Sequence, residues 1–332
     1  MNLEKYQQYS RIARGLEQAD LVLKDARIIN VFTEEIIRGD IAIQDGIIAG
    51  IGSFQGKEER DLGGKYVCPG FIDSHLHLES TLVTPAELVT VASRHGTTTF
   101  IVDPHESANV SGLAGIDYIL EQTEDVKANV YVMMPSCVPA TGIDDNGCTL
   151  TAQDMAPYLN NSRILGLGEV MDSISVVQGD KGMHDKLELF EGRIRDGHAP
   201  FLVEGDLQAY AMAGIATDHE CSFFDYAMRE RRNGLTILIR EGSAARNLEA
   251  LVGGLVQRKM NGEGFCFCTD DKHIEDIQQE GHIDHNVRKA IRLGMNPVSA
   301  IKMATINAAN CYGLKDKGAI APGRQADLLV LS

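Results

Sequence analysis

The sequence predicts an α/β fold, a (β/α)8 TIM-like barrel with a small β domain built from the N-terminal segment and the C-terminal strand. Three observations predict it. Eight short apolar runs, each ending in polar residues, alternate with helical stretches between residues 66 and 271. Residues 19–50 instead show the strand-and-turn texture of an antiparallel unit. The last apolar run, Ala326-Asp327-Leu328-Leu329-Val330-Leu331, looks like Ala19-Asp20-Leu21-Val22-Leu23 near the start. A chain that leaves a β unit, builds a barrel and returns would close the first unit with that final strand. The expected division is a leading helix and small β domain over 1–65, the barrel over 66–315, and the returning strand over 316–332.

In order along the chain, residues 5–18 have helical spacing with mixed charge. Residues 19–29 read as strand, turn, strand. Residues 39–50 read as a hairpin, because Asp45-Gly46 sits between apolar runs and this pair favours a tight two-residue turn. The eight barrel runs are 66–75, 97–105, 128–135, 163–169, 193–198, 215–220, 235–241 and 264–271. Helical segments between them include 84–95, 112–124, 184–192, 206–213, 223–232 and 246–257, and Pro297 to Leu314 reads as one helix. A doubly wound open sheet is the rival. It would want a glycine-rich phosphate loop after an early strand, and neither GxGxxG nor GxxxxGK[ST] occurs.

Composition narrows the function. With 332 residues, 44% of them hydrophobic, the chain can bury a large core. Its richness in Leu, Ile and Val excludes disorder as the main state. No run of eighteen apolar residues and no apolar signal core is present, so no membrane partner and a cytoplasmic location are expected. The net charge of −16 repels phosphate backbones, so nucleic acid is not an expected partner. Seven cysteines are scattered without a CxxC pair, which reads as reduced, mostly buried thiols and not a structural zinc site. Cys266 and Cys268 share one face of their strand.

Barrel active sites sit at the C-terminal ends of strands. There the chain places His75 and His77 (run one), Glu169 (run four), His198 (run five), His219 (run six) and Asp270 (run eight). Imidazole and carboxylate suit divalent transition cations. His75 and His77, at i and i+2, point the same way and can bind one ion, with Asp270 completing its shell. Glu169 can bridge to a second ion held by His198 and His219. Two such cations make hydroxide available at neutral pH. Singly, each residue has an ordinary explanation: a core histidine, a cap, a salt bridge. The ordered set, each member at its own strand end, is the specific signal.

That order resembles the amidohydrolase superfamily. Several local strings resemble the adenine deaminase family more closely: residues 69–80 (PGFIDSHLHLES), 103–106 (DPHE), 166–171 (GLGEVM), 196–200 (DGHAP), 218–220 (DHE), 239–243 (IREGS), 268–271 (CTDD) and 281–284 (GHID). The similarity runs from about residue 19 to the end of the chain. Many two-metal relatives, such as dihydroorotases and hydantoinases, carry a carbamylated lysine at strand four, where this chain has Glu169. The resemblance implies hydrolysis of adenine to hypoxanthine and ammonia, with hydroxide attacking C6 and purine salvage or catabolism as the setting. It implies two divalent ions, Mn²⁺ as first expectation and Fe²⁺ or Zn²⁺ also suited, and a homo-oligomer.

In that reaction Asp270 takes the hydroxide proton and delivers it to the leaving amine. Ring nitrogen N1 needs a proton, and Glu79, Glu106, Glu220 and Glu241 are all candidates to give it. His105 and Arg240 are read as substrate contacts or supports of the metal ligands, with a salt-bridged strand end as the alternative. His282 and Asp284 are read as a support or lid, or else as a helix-capping pair. Asp271 is expected to be a helix N-cap. Ser243 has no base spaced to activate it. An N-acetylglucosamine-6-phosphate deacetylase or another cyclic amidohydrolase is the enzymatic alternative, although Arg240 is the one candidate phosphate grip for the former. Family members carry a further C-terminal region that this sequence lacks, so a weakly active or non-catalytic remnant is the third reading.

Overall fold

A computed structural model describes residues 1–331; Ser332, the end of the expected returning strand, lies outside the described residues. The chain begins α1 (Leu3–Ala13), β1 (Ala19–Asn30), β2 (Glu35–Gln44), β3 (Ile47–Gly52), β4 (Gly56–Asp61), β5 (Tyr66–Pro69) and β6 (Phe71–Leu76). It continues α2 (Pro85–Arg94), β7 (Thr97–Val102), α3 (His105–Ser111), α4 (Leu113–Gln122), β8 (Asn129–Met134), α5 (Ala152–Met155) and β9 (Ile164–Val170). Then come α6 (Ser173–Gln178), α7 (Lys181–Leu189), β10 (Ile194–Gly197), α8 (Glu204–Met212), β11 (Thr217–Asp218), α9 (Phe224–Arg232), β12 (Thr236–Arg240) and α10 (Leu248–Gln257). The last elements are β13 (Phe265–Cys268), α11 (Ile274–Glu280), α12 (Ile283–Arg292), α13 (Pro297–Met303), α14 (Ile306–Cys311) and β14 (Leu328–Leu331).

Two compact units result, one of residues 1–71 with 296–332 and one of residues 72–295. In the first, five strands run in the order β14-β5-β1-β2-β3, and β4 also pairs with β1. Asp45 and Gly46 close the β2–β3 hairpin with φ of 48° and 73°, the double positive φ that a type I′ turn needs. Ile28, Ile41, Ile48 and Val67 are fully buried on this sheet. Each stabilises the unit by roughly 1.5–3 kcal/mol relative to an exposed side chain.

Several expectations change here. Residues 19–29 do not turn back; they form the single strand β1, with a register shift between Leu23 and Ala26 and Asp25 at φ 51°. A bulge of this kind absorbs the turn-like Lys24-Asp25 pair without ending the strand. The run 66–75 is divided at Gly70 into β5 and β6. The helix expected from Pro297 to Leu314 is two helices, broken at Ala304-Thr305, where Thr305 leaves helical geometry with φ −139° and ψ −93°. Residues 66–71 and 296–315, expected with the barrel, fall within the first unit.

In the second unit the strands are parallel. One sheet runs β10-β9-β8-β7-β6 and another β11-β12-β13. The Ala216 N–H donates to the Arg195 carbonyl (2.9 Å) beside β10 and β11. Asp270 N–H donates to His75 O (2.9 Å), and Leu76 and Asp270 form a parallel bridge. Strands buried on both faces read as continuous apolar runs, and Phe265-Cys266-Phe267-Cys268 is buried throughout. β6 is also buried at all six positions, yet it carries Asp73, Ser74 and His75. Polar groups persist in such a place only when partners satisfy them.

Candidate metal centre

Each expected ligand lies at or just beyond a parallel strand. β6 ends at Leu76, between His75 and His77; Glu169 is in β9; His198, His219 and Asp270 follow β10, β11 and β13. The four imidazoles converge on Glu169, which is 1% exposed, and Asp270 meets two of them. Its Oε1 lies 3.3 Å from His75 Nε2 and 3.0 Å from His77 Nε2. Its Oε2 lies 2.9 Å from His198 Nδ1 and 3.5 Å from His219 Nε2. Asp270 Oδ1 is 3.2 Å from His77 Nε2 and 3.8 Å from His75 Nε2. Burial alone would raise the Glu169 carboxyl, but His219, His105, His198 and His75 outweigh it and hold the group well below the usual carboxylate range. Asp270 is held low in the same way, burial being outweighed by His77, His219 and His75.

The backbone aims these groups. His77 Nδ1 is 2.7 Å from the Asp103 carbonyl, which can only accept, so this nitrogen carries a hydrogen and Nε2 is the atom turned to the carboxylates. The two Nε2 atoms of His75 and His77 are 3.2 Å apart. Glu169 N–H donates to Asp103 Oδ2 at 2.7 Å. That contact depends on Gly168, because a Cβ there would stand 2.3 Å from Asp103 Oδ2. Ser136 Oγ donates to the Glu169 carbonyl. Behind the site, Asp73 accepts from His75 N–H, Thr269 N–H and Thr269 Oγ, and burial pushes its carboxyl up to about 7.

The remaining expected residues divide. Arg240, at the end of β12, donates from Nη1 to Asp270 Oδ2 (2.7 Å) and Glu220 Oε1 (2.5 Å), and from Nη2 to Glu220 Oε2 (2.9 Å). Glu220 Oε1 is 3.7 Å from His219 Nε2 and 3.8 Å from His198 Nδ1. Glu79 Oε1 caps α3, accepting from the Glu106 and Ser107 N–H groups, while its buried Oε2 has no partner. Burial raises the Glu79 carboxyl against the opposing pull of His77 and His105. His105 Nδ1 lies 3.3 Å from Glu169 Oε1.

Glu106 is exposed in the first turn of α3. Glu241 is buried but pairs with Lys289 at 2.7 Å. His282 occupies the N-cap position of α12; its backbone N–H donates to Asp284 Oδ1, and its ring lies between Thr97 Oγ (2.8 Å) and Asp73 Oδ2 (3.2 Å). Asp271 is not the expected N-cap, because α11 starts at Ile274 with His273 in that position. Asp103 and Asp73 were missed by sequence reasoning, although both stand in the strings DPHE and FIDSH. Polar residues inside apolar strand ends were the available signal.

Comparison with known proteins fits this geometry. The sequence profile of the amidohydrolase family matches residues 66–332. The chain is 57% identical over 331 residues to a protein named adenine deaminase from Desulfitobacterium hafniense (strain Y51), covering 100% of this chain and 58% of that one. It is 49% identical over 321 residues to a protein of the same name from Clostridium acetobutylicum, covering 96% of this chain and 56% of that one. The chain therefore spans little more than half the length of these relatives. Among solved structures, an adenine deaminase superposes with TM-score 0.68 at 19% identity (94% of this chain, 89% of that one). A dihydroorotase does so with TM-score 0.65 at 16% identity (95% and 89%). At these identities the structures establish a shared fold.

Proposed function

The chain belongs to the amidohydrolase family, and from that membership we propose that it hydrolyses adenine to hypoxanthine and ammonia. The observation that carries the proposal is Glu169, whose two oxygens face two separate histidine pairs. The name shared by the long relatives supplies the substrate. The two parallel sheets are read as arcs of one eight-stranded barrel, supported by the hydrogen bonds beside β10–β11 and β6–β13. The unit of 1–71 and 296–332 is read as the family's small β domain.

The donors fit a pair of divalent transition cations. Glu169 Oε1 is buried with no hydrogen-bond partner, and in the first set the nitrogens of His75 and His77 lie 3.0–3.8 Å from the oxygens of Glu169 and Asp270. His198, His219 and Glu169 Oε2 form the second set. Mn²⁺ is the proposed ion, with Fe²⁺ and Zn²⁺ suited to the same donors. When bound, such a pair supplies Lewis acidity that lowers the pKa of water at the site.

The chain's own residues then handle protons. Asp270, kept ionised, is the proposed acceptor, and Arg240 holds its outer oxygen in place. Glu79 is the proposed donor to N1, because burial favours its protonated form while two backbone N–H groups fix Oε1 and leave Oε2 free. Glu106 faces solvent and Glu241 faces Lys289, which removes both from the proposal. Glu220 is committed to Arg240. That commitment also removes the one basic candidate of the sugar-phosphate deacetylase reading.

The test is an assay of the Mn²⁺-loaded chain with adenine. Hypoxanthine and ammonia should form in equal amounts. Asp270→Asn should lower turnover by about 10²–10⁴. Adenine left unchanged by a fully loaded chain would contradict the proposal.

A further inference from the structure

Asn247 stands directly before α10, at the position where an asparagine side chain ordinarily caps a helix. Among the described residues, its side chain caps none of the α10 N–H groups. The residue is 4% exposed and commits its carboxamide to two other elements. Oδ1 accepts from the Arg240 N–H at 2.9 Å, at the end of β12. Nδ2 donates to the His219 carbonyl at 3.1 Å and to the Cys221 carbonyl at 3.0 Å, in the turn that follows β11. An N–H can only donate and a carbonyl can only accept, so these partners fix which end of the amide is which. The backbone N–H of Asn247 also donates to the Arg240 carbonyl at 3.1 Å.

The turn held in this way carries His219, a member of the second donor set, and Glu220, the partner of Arg240. Asp218 Oδ2 accepts from the Glu220 and Cys221 N–H groups, so the turn is gripped by its donors and its acceptors alike. The first set is fixed by different bonds, from Asp270 N–H to the His75 carbonyl and from His77 N–H to the Asp270 carbonyl. We propose that Asn247 is a positioning residue for the second donor set, tying the turn that aims His219 to the end of β12. Serine or aspartate caps a helix as well as asparagine does. A carboxamide of this length is needed to supply one acceptor and two donors to these three backbone groups at once.

The inference rests on the proposed pair of cations and extends it to a residue outside both donor sets. The experiment titrates the chelator-treated wild type, Asn247→Ser and Asn247→Asp with Mn²⁺, the free ion being read by electron paramagnetic resonance and folding by circular dichroism. Serine keeps a helix cap but is too short for the three backbone groups. Aspartate keeps the acceptor for the Arg240 N–H and loses both donors. The wild type should bind two ions. In each variant one ion should bind as before and the other about 10–100-fold more weakly. Two ions at wild-type affinity in both variants would overturn the assignment. So would equal weakening of both ions, which marks a general loosening of the fold. A wild type that binds two ions and leaves adenine unchanged would remove the proposed reaction, while the ion affinities still decide the role of Asn247. Fewer than two ions in the wild type would overturn the paired centre and the assignment together.

Discussion

Asp270 holds a backbone conformation that few side chains adopt, with φ 58°. Left-handed geometry at a non-glycine residue costs about 1–3 kcal/mol. It persists because His77 N–H donates to Asp270 O (3.3 Å) and Asp270 N–H to His75 O, which locks the aspartate beside both histidines. A different buried carboxyl carries the clearest pH dependence. Glu230, on α9, is fully buried and both its oxygens lack a partner; burial and then the nearby Asp218 push its pKa up to about 10. The folded chain thus keeps this proton while the unfolded chain releases it near 4.5. Stability from this group is full below the lower value and declines as pH rises towards the upper one. Glu230→Gln cannot ionise, so its thermal melting should decline less between pH 5 and 10. At pH 8 the variant should be more stable by about 1–3 kcal/mol. Parallel melting curves for both proteins across that range would refute the assignment.

At the scale of elements, β9 and the end of β7 form one device. Gly168 lets the Asp103 carboxylate lie against β9, and Asp103 in turn orients Glu169 through its N–H and His77 through its carbonyl. Gly168→Ala should force Asp103 outward, costing about 1–3 kcal/mol of stability and weakening cation binding; calorimetric metal titration with a melting curve measures both. Unchanged affinity would show that Asp103 does not set the ligands. These strands were legible in sequence because parallel strands buried on both faces are unbroken apolar runs ending in polar residues, as at 97–105 and 264–271. The six candidate ligands were legible for the same reason, each lying at or beside a strand end. Helix α3 was not, since only Ala108 is buried along it and no apolar stripe marks it. Helix α12 carried a readable stripe at Ile283, Val287 and Ala290, obscured by its many charged residues. The choice among carboxylates was also hidden. Glu79 and Glu241 look alike in sequence, and only packing shows that one caps α3 beside the histidines while the other meets Lys289.

For the whole molecule, the paired donor sets link binding to stability, because a cation that binds the folded chain alone stabilises it. Removing ions with a chelator should lower the melting temperature, and Mn²⁺ at 100 times its dissociation constant should restore about 2.7 kcal/mol for each site filled. A melting curve indifferent to chelator would mean that the donors hold nothing. Among the described residues no helix is long and apolar enough to cross a membrane. Four histidines, one glutamate and one aspartate from five strand ends meet around one carboxylate, and the most direct test of that claim is crystallographic. An anomalous difference map from Mn²⁺-loaded crystals should show one peak among His75, His77 and Asp270 and another between His198 and His219, with the Glu169 carboxylate between them. A single peak, or density at neither set, would contradict the account.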